Sequence, residues 1–278
     1  MAMTERKQEE MDLPALCGQI GLPDDVKAAV LDFAAGFDFG KVEVLLRDFR
    51  QYSKMKEART RLQALLEPDG DHLKMLACML KGSADAYGFY REKGISGQIY
   101  LDTMRCYTRF MAESRKSTGR ICFDRSWWTS RQVGGHLFRI GRLEYEIVPD
   151  GKGAAVELHI PSDGDFSPRE VDRSLELAEG FFREHYPELV RAEYRCHSWL
   201  LDGQLGGMLD EGSNIRHFQT RFEILDQGGV DAEFIEWLFQ TKSTNISTLP
   251  EDTSLQRNVK RHLLSGGQIY TAFGRLMK

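Results

Sequence analysis

The stretch AAVELHIPSDGDFSPREVDRSLELAEGFFREHYPELVRAEYRCHSWLL, residues 154–201, decides the fold. It begins with alternating apolar and polar side chains, which is the period of a half-buried β-strand. The apolar side chains face one way and the polar ones face the other: Val156, Leu158 and Ile160 against Glu157 and His159. The polar face of this strand therefore carries the first candidate residues for a functional site.

The signals for a helix follow this strand directly. Ser167 is the predicted N-cap, Pro168 occupies the first helical position, and Glu170 completes a capping box. The helix is predicted to continue to about His185, and residues 194–201 form a short, mostly buried second strand. A strand, a crossover helix and a second strand make a βαβ unit, in which the two strands run parallel.

The composition excludes several classes of partner. The 278 residues carry a net charge of −5 without a run of Lys or Arg, so no basic field favours nucleic acid or an anionic membrane. No apolar run approaches the roughly 20 residues of a transmembrane helix. The five cysteines are scattered without metal-ligand spacing, which is typical of reduced thiols in the cytoplasm. We expect a cytoplasmic protein that holds no metal.

The two halves of the chain differ in their periodicity. Helical periodicity dominates up to about Lys116, where the composition changes. The segment that follows is predicted to be irregular, and its pair Trp127–Trp128 either lines a ligand cleft or closes a seam between domains. We expect a helical N-terminal domain over residues 1–130 and a second domain over residues 131–278.

The second domain has the period of β-strands. A tight turn or bulge is predicted at Gly141, and a hairpin loop at residues 150–153. Strands are predicted near residues 142–148, 154–160, 194–201, 215–225 and 267–273. The fold class is therefore α+β: a helical N-terminal domain followed by a mixed sheet of five or six strands flanked by helices.

Four segments carry a family resemblance: LFRIGRLEYEI at 137–147, HIP at 159–161, CHSWLL at 196–201 and SNIRHF at 213–218. They resemble the C-terminal domain of a bacterial family of GNAT-like N-acyltransferases, and the helical region ahead resembles that family's N-terminal domain. The resemblance covers nearly the whole chain. It implies acyl transfer from acetyl-CoA or another acyl-CoA to the amine of a small molecule or peptide, by direct attack. The second hypothesis is a non-catalytic binding or regulatory protein that keeps the fold.

The loop SDGDFSPRE, residues 162–170, stands where this fold holds the diphosphate of coenzyme A, and it lacks the usual [QR]xxGx[GA] signature. Pro168 has no amide hydrogen, and a Ser167 cap would occupy the amide of Glu170. Asp163 and Asp165 add negative charge. Arg169 is the one compensating cation in the loop, so it is the predicted diphosphate contact.

The polar face of the first strand offers the candidates for catalysis. An amine is mostly protonated at neutral pH and must lose a proton before it attacks a thioester. Glu157 or His159 could serve as that base. Alternatively, Glu157 pairs with Arg142 or another strand cation, and His159 caps the end of the strand. Cys196 is interpreted as a core residue.

Three further residues complete the predicted site. Ser198 is a candidate for binding the cofactor, and Asn214 and Trp128 are candidates for binding the acceptor. Ser198 and Asn214 could equally satisfy the local backbone, since short polar side chains often do so. The sequence indicates no oligomeric state.

Overall fold

The computed structural model describes residues 10–151, 153–230 and 234–277. The chain divides into two compact units. The first, which we call the helical unit, comprises Met1–Met111 and Cys122–His136. The second, which we call the sheet unit, comprises Ala112–Ile121 and Leu137–Lys278. The boundary predicted between residues 130 and 131 stays a prediction.

Helices form the first unit, as the apolar periodicity predicts. In chain order they are α1 (Leu13–Gln19), α2 (Asp24–Gly36), α3 (Glu43–Asp48), α4 (Met55–Leu66), α5 (Leu73–Glu92), α6 (Gly97–Met104), α7 (Cys106–Thr118) and α8 (Ser126–Gly134). The last two turns of α7 lie in the sheet unit. Helix α5 contributes strongly to the core of the helical unit, because eleven of its residues are buried.

Two details of this unit differ from the prediction. The helical periodicity that reaches to about Lys116 is interrupted at Arg105, between α6 and α7. The segment predicted to be irregular contains α8, and Gly135, which follows the helix, has a φ of 70°. That left-handed conformation favours glycine and supplies the stop signal for the helix. The aromatic and polar composition of this segment did not indicate a helix, although one face of α8 is buried.

The sheet unit alternates strands and helices. Its elements are β1 (Leu137–Ile140), β2 (Leu143–Asp150), β3 (Gly153–His159), α9 (Pro168–His185), β4 (Tyr194–Ser198), α10 (Asn214–Gln219), β5 (Phe222–Val230), α11 (Phe234–Phe239), α12 (Ser254–Leu264) and β6 (Tyr270–Leu276). The six strands lie in the order β1-β2-β3-β4-β6-β5. The predicted α+β class is confirmed, with a mixed sheet flanked by helices.

One pair of strands in this sheet is parallel, and it is the pair that the βαβ unit predicts. β3 and β4 pair only at Val156 with Tyr194 and at Glu157 with Arg195. Both strands continue beyond those pairs, β3 to His159 and β4 to Ser198. Their partners there are on the outer sides, β2 for β3 and β6 for β4. The two strands therefore separate at their carboxyl ends.

Helix α9 is held against the sheet by a buried serine. Ser174 Oγ donates to the carbonyl of Ile140 at 2.5 Å and accepts from the amide of Leu143 at 3.2 Å. It also lies 3.0 Å from the hydroxyl of Tyr145. Gly141 has a φ of 63°, and a Cβ there would come within 3.1 Å of Ser174. The tight turn predicted at Gly141 thus fits directly beneath the helix.

The prediction of a strand over residues 215–225 is wrong in its first half. Residues 214–219 form α10, and β5 begins only at Phe222. Ser213 caps α10 by accepting from the amide of Ile215 at 3.2 Å. The buried Phe218 packs on Phe166 and Phe222, with ring centroids 4.7 and 4.8 Å apart. A short capped helix places this aromatic residue in the core, which alternation alone did not indicate.

The start of α9 differs from its predicted cap. Ser167 has the extended backbone of an N-cap residue, but its side chain makes no cap hydrogen bond with any residue that the structure describes. Its backbone amide instead donates to Asp165 Oδ1 at 2.9 Å. Glu170 pairs with Arg142, with 3.5 Å between Oε2 and Nε. The predicted capping box is therefore absent from the described loop.

Substitution of Ser167 by alanine tests this geometry. Because no cap hydrogen bond is lost, we expect the free energy of unfolding to change by less than about 0.5 kcal/mol. A true N-cap serine would cost about 1 kcal/mol on the same substitution. Urea denaturation of both proteins measures the difference, with Ser96→Ala as the matched control because Ser96 Oγ accepts from the amide of Ile99. A loss of 1 kcal/mol for Ser167→Ala would contradict the uncapped geometry.

Candidate functional site

The register of the β2–β3 hairpin gathers the polar residues on one face of the sheet. Glu144 lies opposite His159, and Glu146 lies opposite Glu157. Side chains opposite each other on antiparallel strands share a face, and diagonal neighbours are also within reach. Glu144 and Glu146 are only 2% and 1% exposed. Burial of a carboxylate costs free energy unless the charge is paired, so these two glutamates need partners on this face.

The closest contact on this face joins His159 to Glu146. His159 Nε2 lies 2.9 Å from Glu146 Oε2. The side chain of His159 is 19% exposed, whereas that of Glu146 is 1% exposed. A buried carboxylate that contacts one ring nitrogen fixes the orientation of the imidazole. The pair thus has the geometry of a base and the residue that orients it.

Glu157 completes this group in a different way. It is half-buried, and no hydrogen bond or ion pair joins its carboxylate to another residue in the described part of the chain. One ligand atom each from Glu146, Glu157 and His159 lies within 4.8 Å of the others. Arg142, the partner suggested by the sequence, pairs with Glu170 instead. Glu157 therefore presents a negative charge next to the His159 imidazole.

The same three residues are of the types that bind divalent cations. His159 Nε2 already contacts Glu146 Oε2 at 2.9 Å. A metal bound at this nitrogen would have to displace that hydrogen bond.

The separation of β3 and β4 lies next to this group. The last paired residues are Glu157 and Arg195, and the backbone beyond them faces an opening between the strands. Ser198 lies at the end of β4, where its Oγ accepts from the amide of Leu200 at 3.1 Å. The local-backbone interpretation of Ser198 is thus realised, although its hydroxyl proton remains able to donate. Unpaired strand backbone can bind an extended chain as an added strand does.

Cys196 is unsuited to covalent catalysis, as its interpretation as a core residue predicts. It is fully buried in β4, and burial, with a smaller contribution from Glu157, raises the pKa of its thiol far above the usual range. The neighbouring His197 is exposed. A thiol that stays protonated is a poor nucleophile.

The two aspartates of the loop between β3 and α9 have different partners. Arg139 Nη1 lies 3.0 Å from Asp163 Oδ1 and 3.8 Å from Glu144 Oε1. Asp165 is exposed and accepts from the amide of Ser167, which lowers the pKa of its carboxyl group. The expectation that Arg169 alone compensates these charges is wrong, because Arg139 reaches Asp163 from β1. Arg139, which is buried with 9% of its surface exposed, is a second cation that compensates the charge of this loop.

The first turn of α9 is surrounded by further cations. Arg221 pairs with Asp172 at 2.6 Å and donates to the carbonyl of Pro168 at 3.3 Å. Arg142 lies beside Glu170, and Arg169 is exposed. The side chain of Ser167 leaves the amides of this turn uncapped. Amides at a helix N-terminus and nearby arginines are the groups that bind phosphate.

The two predicted acceptor contacts lie apart in the chain. Asn214 is exposed in the first turn of α10 rather than in a strand. Trp128 lies in α8 of the helical unit, with its ring 5.5 Å from that of Trp127 and 4.7 Å from the guanidinium of Arg131. Both assignments stay predictions.

Glu144, Glu146 and Arg139 were not among the residues that the sequence singled out for the site. A signal for the glutamates was present, because both lie on the polar face of β2. A hairpin closed between Asp150 and Gly153 places Glu146 opposite Glu157 and Glu144 opposite His159. No comparable signal marked Arg139, whose partner Asp163 is 24 residues away.

Comparison with family models divides the chain into two matched regions. Residues 137–276 match the model of the GNAT-like C-terminal domain. Residues 11–135 match the model of the N-acyltransferase N-terminal domain. No curated protein matches the chain. Within the described residues, no helix is long and apolar enough to cross a membrane.

Solved structures of acyltransferases are similar to the chain over nearly its whole length. One is an acyltransferase in complex with decanoyl-CoA and teicoplanin, with 24% identity and a TM-score of 0.77, covering 99% of this chain and 90% of that chain. Another is an acyltransferase in complex with decanoyl-CoA, with 23% identity and the same TM-score of 0.77, covering 94% of this chain and 86% of that chain. At this identity the likeness shows the fold.

Proposed function

We propose that this chain, which belongs to the family of GNAT-like N-acyltransferases, transfers an acyl group from an acyl-CoA to the amine of a small molecule. The observation that carries the proposal is the juxtaposition of the His159–Glu146 pair with the opening between β3 and β4. An acyl donor bound in that opening would bring its thioester to the polar face of β3. A peptide as the alternative acceptor stays a prediction. The cytoplasmic location also stays a prediction.

His159 is the proposed base. In the tautomer that donates from Nε2 to Glu146, Nδ1 is unprotonated and can accept a proton from the amine. His159 takes the proton that an ammonium must lose before its nitrogen can attack the thioester carbonyl carbon. The C–N bond then forms and the C–S bond breaks; one of the two remaining N–H protons passes to the departing thiolate, which leaves as the coenzyme A thiol, and the other stays on the amide nitrogen. Transfer is direct, in keeping with the buried and protonated thiol of Cys196.

Glu157 is the proposed site for the ammonium group of the acceptor. Its carboxylate has no partner within the described residues and lies beside His159. An ion pair with the ammonium would hold the nitrogen next to the base before the proton is transferred. If Glu157 acts in this way, Glu157→Gln raises KM for the acceptor more than it lowers kcat. If Glu157 is itself the base, the same substitution lowers kcat instead.

The acyl donor is proposed to lie with its pantetheine arm between β3 and β4 and its diphosphate at the start of α9. The pantetheine amides would pair with strand backbone beyond Glu157 and Arg195, where Ser198 offers a hydroxyl donor. The uncapped amides of the first helical turn and the guanidinium of Arg169 would bind the diphosphate. Neutralisation of Asp163 by Arg139 removes one of the two charges that oppose this binding.

Replacement of Arg169 by alanine tests this placement of the diphosphate. We expect the Kd for acyl-CoA to rise at least about tenfold, because a hydrogen bond to a charged group contributes about 1.5–3 kcal/mol and 1.4 kcal/mol is tenfold. Calorimetry measures the affinity, and Arg173→Ala is the matched control, since Arg173 is exposed on the same helix. Equal affinities for the wild type and Arg169→Ala would place the diphosphate elsewhere.

The proposed function as a whole is tested with the purified full-length chain. Acetyl-CoA, octanoyl-CoA and decanoyl-CoA are offered with a panel of amine-bearing small molecules that includes teicoplanin, because a structurally similar acyltransferase was solved with it. Release of the coenzyme A thiol and the mass of the acylated amine are measured together. Absence of both acyl-CoA binding and thiol release would exclude the enzyme and favour a non-catalytic binding protein.

A further inference from the structure

We propose that the helical unit binds a fatty carboxylate in a cleft that crosses α5. The cleft has two adjoining compartments, of about 500 and about 510 Å³, which share Phe39, Lys81 and Asp85. We call these the cationic compartment and the apolar compartment, and together the α5 cleft. Every residue that lines them belongs to the helical unit. The proposal is independent of acyl transfer, because none of the proposed catalytic or cofactor residues lines the cleft.

The apolar compartment suits an aliphatic chain. Its walls come mainly from α1, α2 and α5, and most of them are aliphatic side chains: Leu13, Pro14, Leu31, Ala34, Ala35 and Ala84. Among the described residues that line it, Asp12 is the one charged residue that this compartment does not share with the other, and its carboxylate accepts from the amide of Ala15 at 2.7 Å as the cap of α1. Small residues on α2 and α5 leave the space that a chain would fill. Transfer of methylene groups from water into such a space is favourable.

The cationic compartment carries one more positive than negative side chain. Glu43 pairs with Arg47 at 2.6 Å, and Asp85 pairs with Lys81 at 2.5 Å. Arg50 is the fifth charged residue of this compartment. The two carboxylates are thus accounted for by two of the three cations. A single anion in the compartment would balance the remaining charge.

Arg50 is the cation that is available for that anion. Its guanidinium lies over the ring of Phe89, 5.1 Å from the centroid, and pairs with no carboxylate among the residues described. Stacking on an aromatic ring orients the planar guanidinium and leaves its edge to donate hydrogen bonds. A carboxylate accepts two such bonds in a parallel arrangement.

The two compartments together define the ligand as an aliphatic chain with a single anionic head. Lys81 and Phe39 line both compartments, so the chain and the head would meet at these residues. An amphiphile with a cationic head has the wrong charge for Arg50, and a short carboxylate leaves the apolar compartment unfilled. A fatty carboxylate meets both requirements.

Calorimetry with three probes and the full-length chain tests the proposal. Decanoate, below its micellar concentration, is expected to bind with one site per chain. Each methylene removed from the probe weakens binding by up to about fourfold, so acetate shows no measurable binding. Decyltrimethylammonium has the same chain with a positive head and is expected to bind at least about tenfold more weakly than decanoate, since 1.4 kcal/mol of lost attraction is tenfold.

Two variants locate the binding site. Arg50→Gln removes the available cation, and Ala35→Phe fills the apolar compartment from an exposed position on α2. Each is expected to weaken decanoate binding at least about fivefold: Arg50→Gln removes the cation that binds the carboxylate, and Ala35→Phe occupies the space of several methylene groups. The matched controls on α4, Arg61→Gln and Ala64→Phe, alter an exposed arginine and an exposed alanine and are expected to bind as the wild type does.

Several outcomes would overturn the proposal. Absence of decanoate binding, equal affinity for decyltrimethylammonium, or wild-type affinity in both Arg50→Gln and Ala35→Phe would each do so. Thermal denaturation of the four variants verifies that they are folded. Because the readout is binding of decanoate rather than acyl transfer, a failure of the proposed enzyme function leaves this test unaffected.

Discussion

Replacement of His159 by glutamine is expected to lower kcat by about 100- to 10,000-fold, which is the usual contribution of a general base. The imidazole is the group that Glu146 orients on the polar face of the sheet, and glutamine cannot accept the amine proton. The Kd for acyl-CoA should stay within about twofold, because His159 is proposed to act on the acceptor. Steady-state kinetics and calorimetry on one preparation measure both quantities.

The control for this substitution is His197→Gln. His197 is an exposed histidine on β4, and its ring lies 6.3 Å from that of Phe273. We expect near wild-type kcat for this variant. A His159→Gln variant that kept the wild-type kcat would remove His159 from the mechanism and leave Glu157 as the remaining candidate for the base.

Glu146 acts through His159 and is therefore a positioning residue. Glu146→Gln keeps the size of the side chain and removes its charge, so we expect a smaller loss of kcat than for His159→Gln, with an altered pH profile of kcat/KM. Glu146→Asp retains the carboxylate and should restore part of the activity. Equal pH profiles for the wild type and Glu146→Gln would indicate that the carboxylate has only a structural role.

Replacement of Asp202 by alanine is expected to lower the free energy of unfolding by about 3–5 kcal/mol, since hydrogen bonds to a charged group contribute about 1.5–3 kcal/mol each. Asp202 is fully buried, and its carboxylate accepts from the amides of Gln204 at 2.9 Å and Tyr270 at 2.8 Å. It also accepts from the side-chain amide of Gln227 at 3.2 Å. These bonds join the turn after β4 to β5 and β6.

Urea denaturation and thermal unfolding measure this loss. Asp210→Ala is the control, because Asp210 is exposed, and it should change stability by less than about 0.5 kcal/mol. Asp202→Asn retains one carbonyl acceptor and is expected to fall between the two. A loss below 1 kcal/mol for Asp202→Ala would mean that water replaces the carboxylate at the two amides.

Much of the sheet could be predicted from periodicity because its residues obey local rules. The alternation of β3, the helix signals at Pro168 and the end of α9 at His185 agree with the structure. The family resemblance drawn from the segments around the β2–β3 hairpin and β4 is also confirmed by the two matched domain models. Even the pairing of Glu146 with Glu157 follows from the position of the hairpin turn.

The prediction failed where two local patterns competed. Residues 213–218 alternate like a strand, yet Ser213 caps a short helix and Phe218 enters the core between Phe166 and Phe222. Alternation and helical spacing coincide over so few residues, and packing of the aromatic side chain decides between them. Ser167 precedes α9 as predicted, but the predicted hydrogen bond from the amide of Glu170 to its side chain is absent from the described loop.

The sequence by itself determined the helical region followed by a mixed sheet, the strand–helix–strand unit and the polar face that carries Glu157 and His159, because these depend on periods of two and 3.6 residues. Only the tertiary structure decided which charges meet. Arg139 reaches Asp163, Glu170 takes Arg142, and Glu157 keeps no partner within the described chain. Ion pairs join residues far apart in sequence, and their formation depends on distances of a few ångströms that only the packed fold sets.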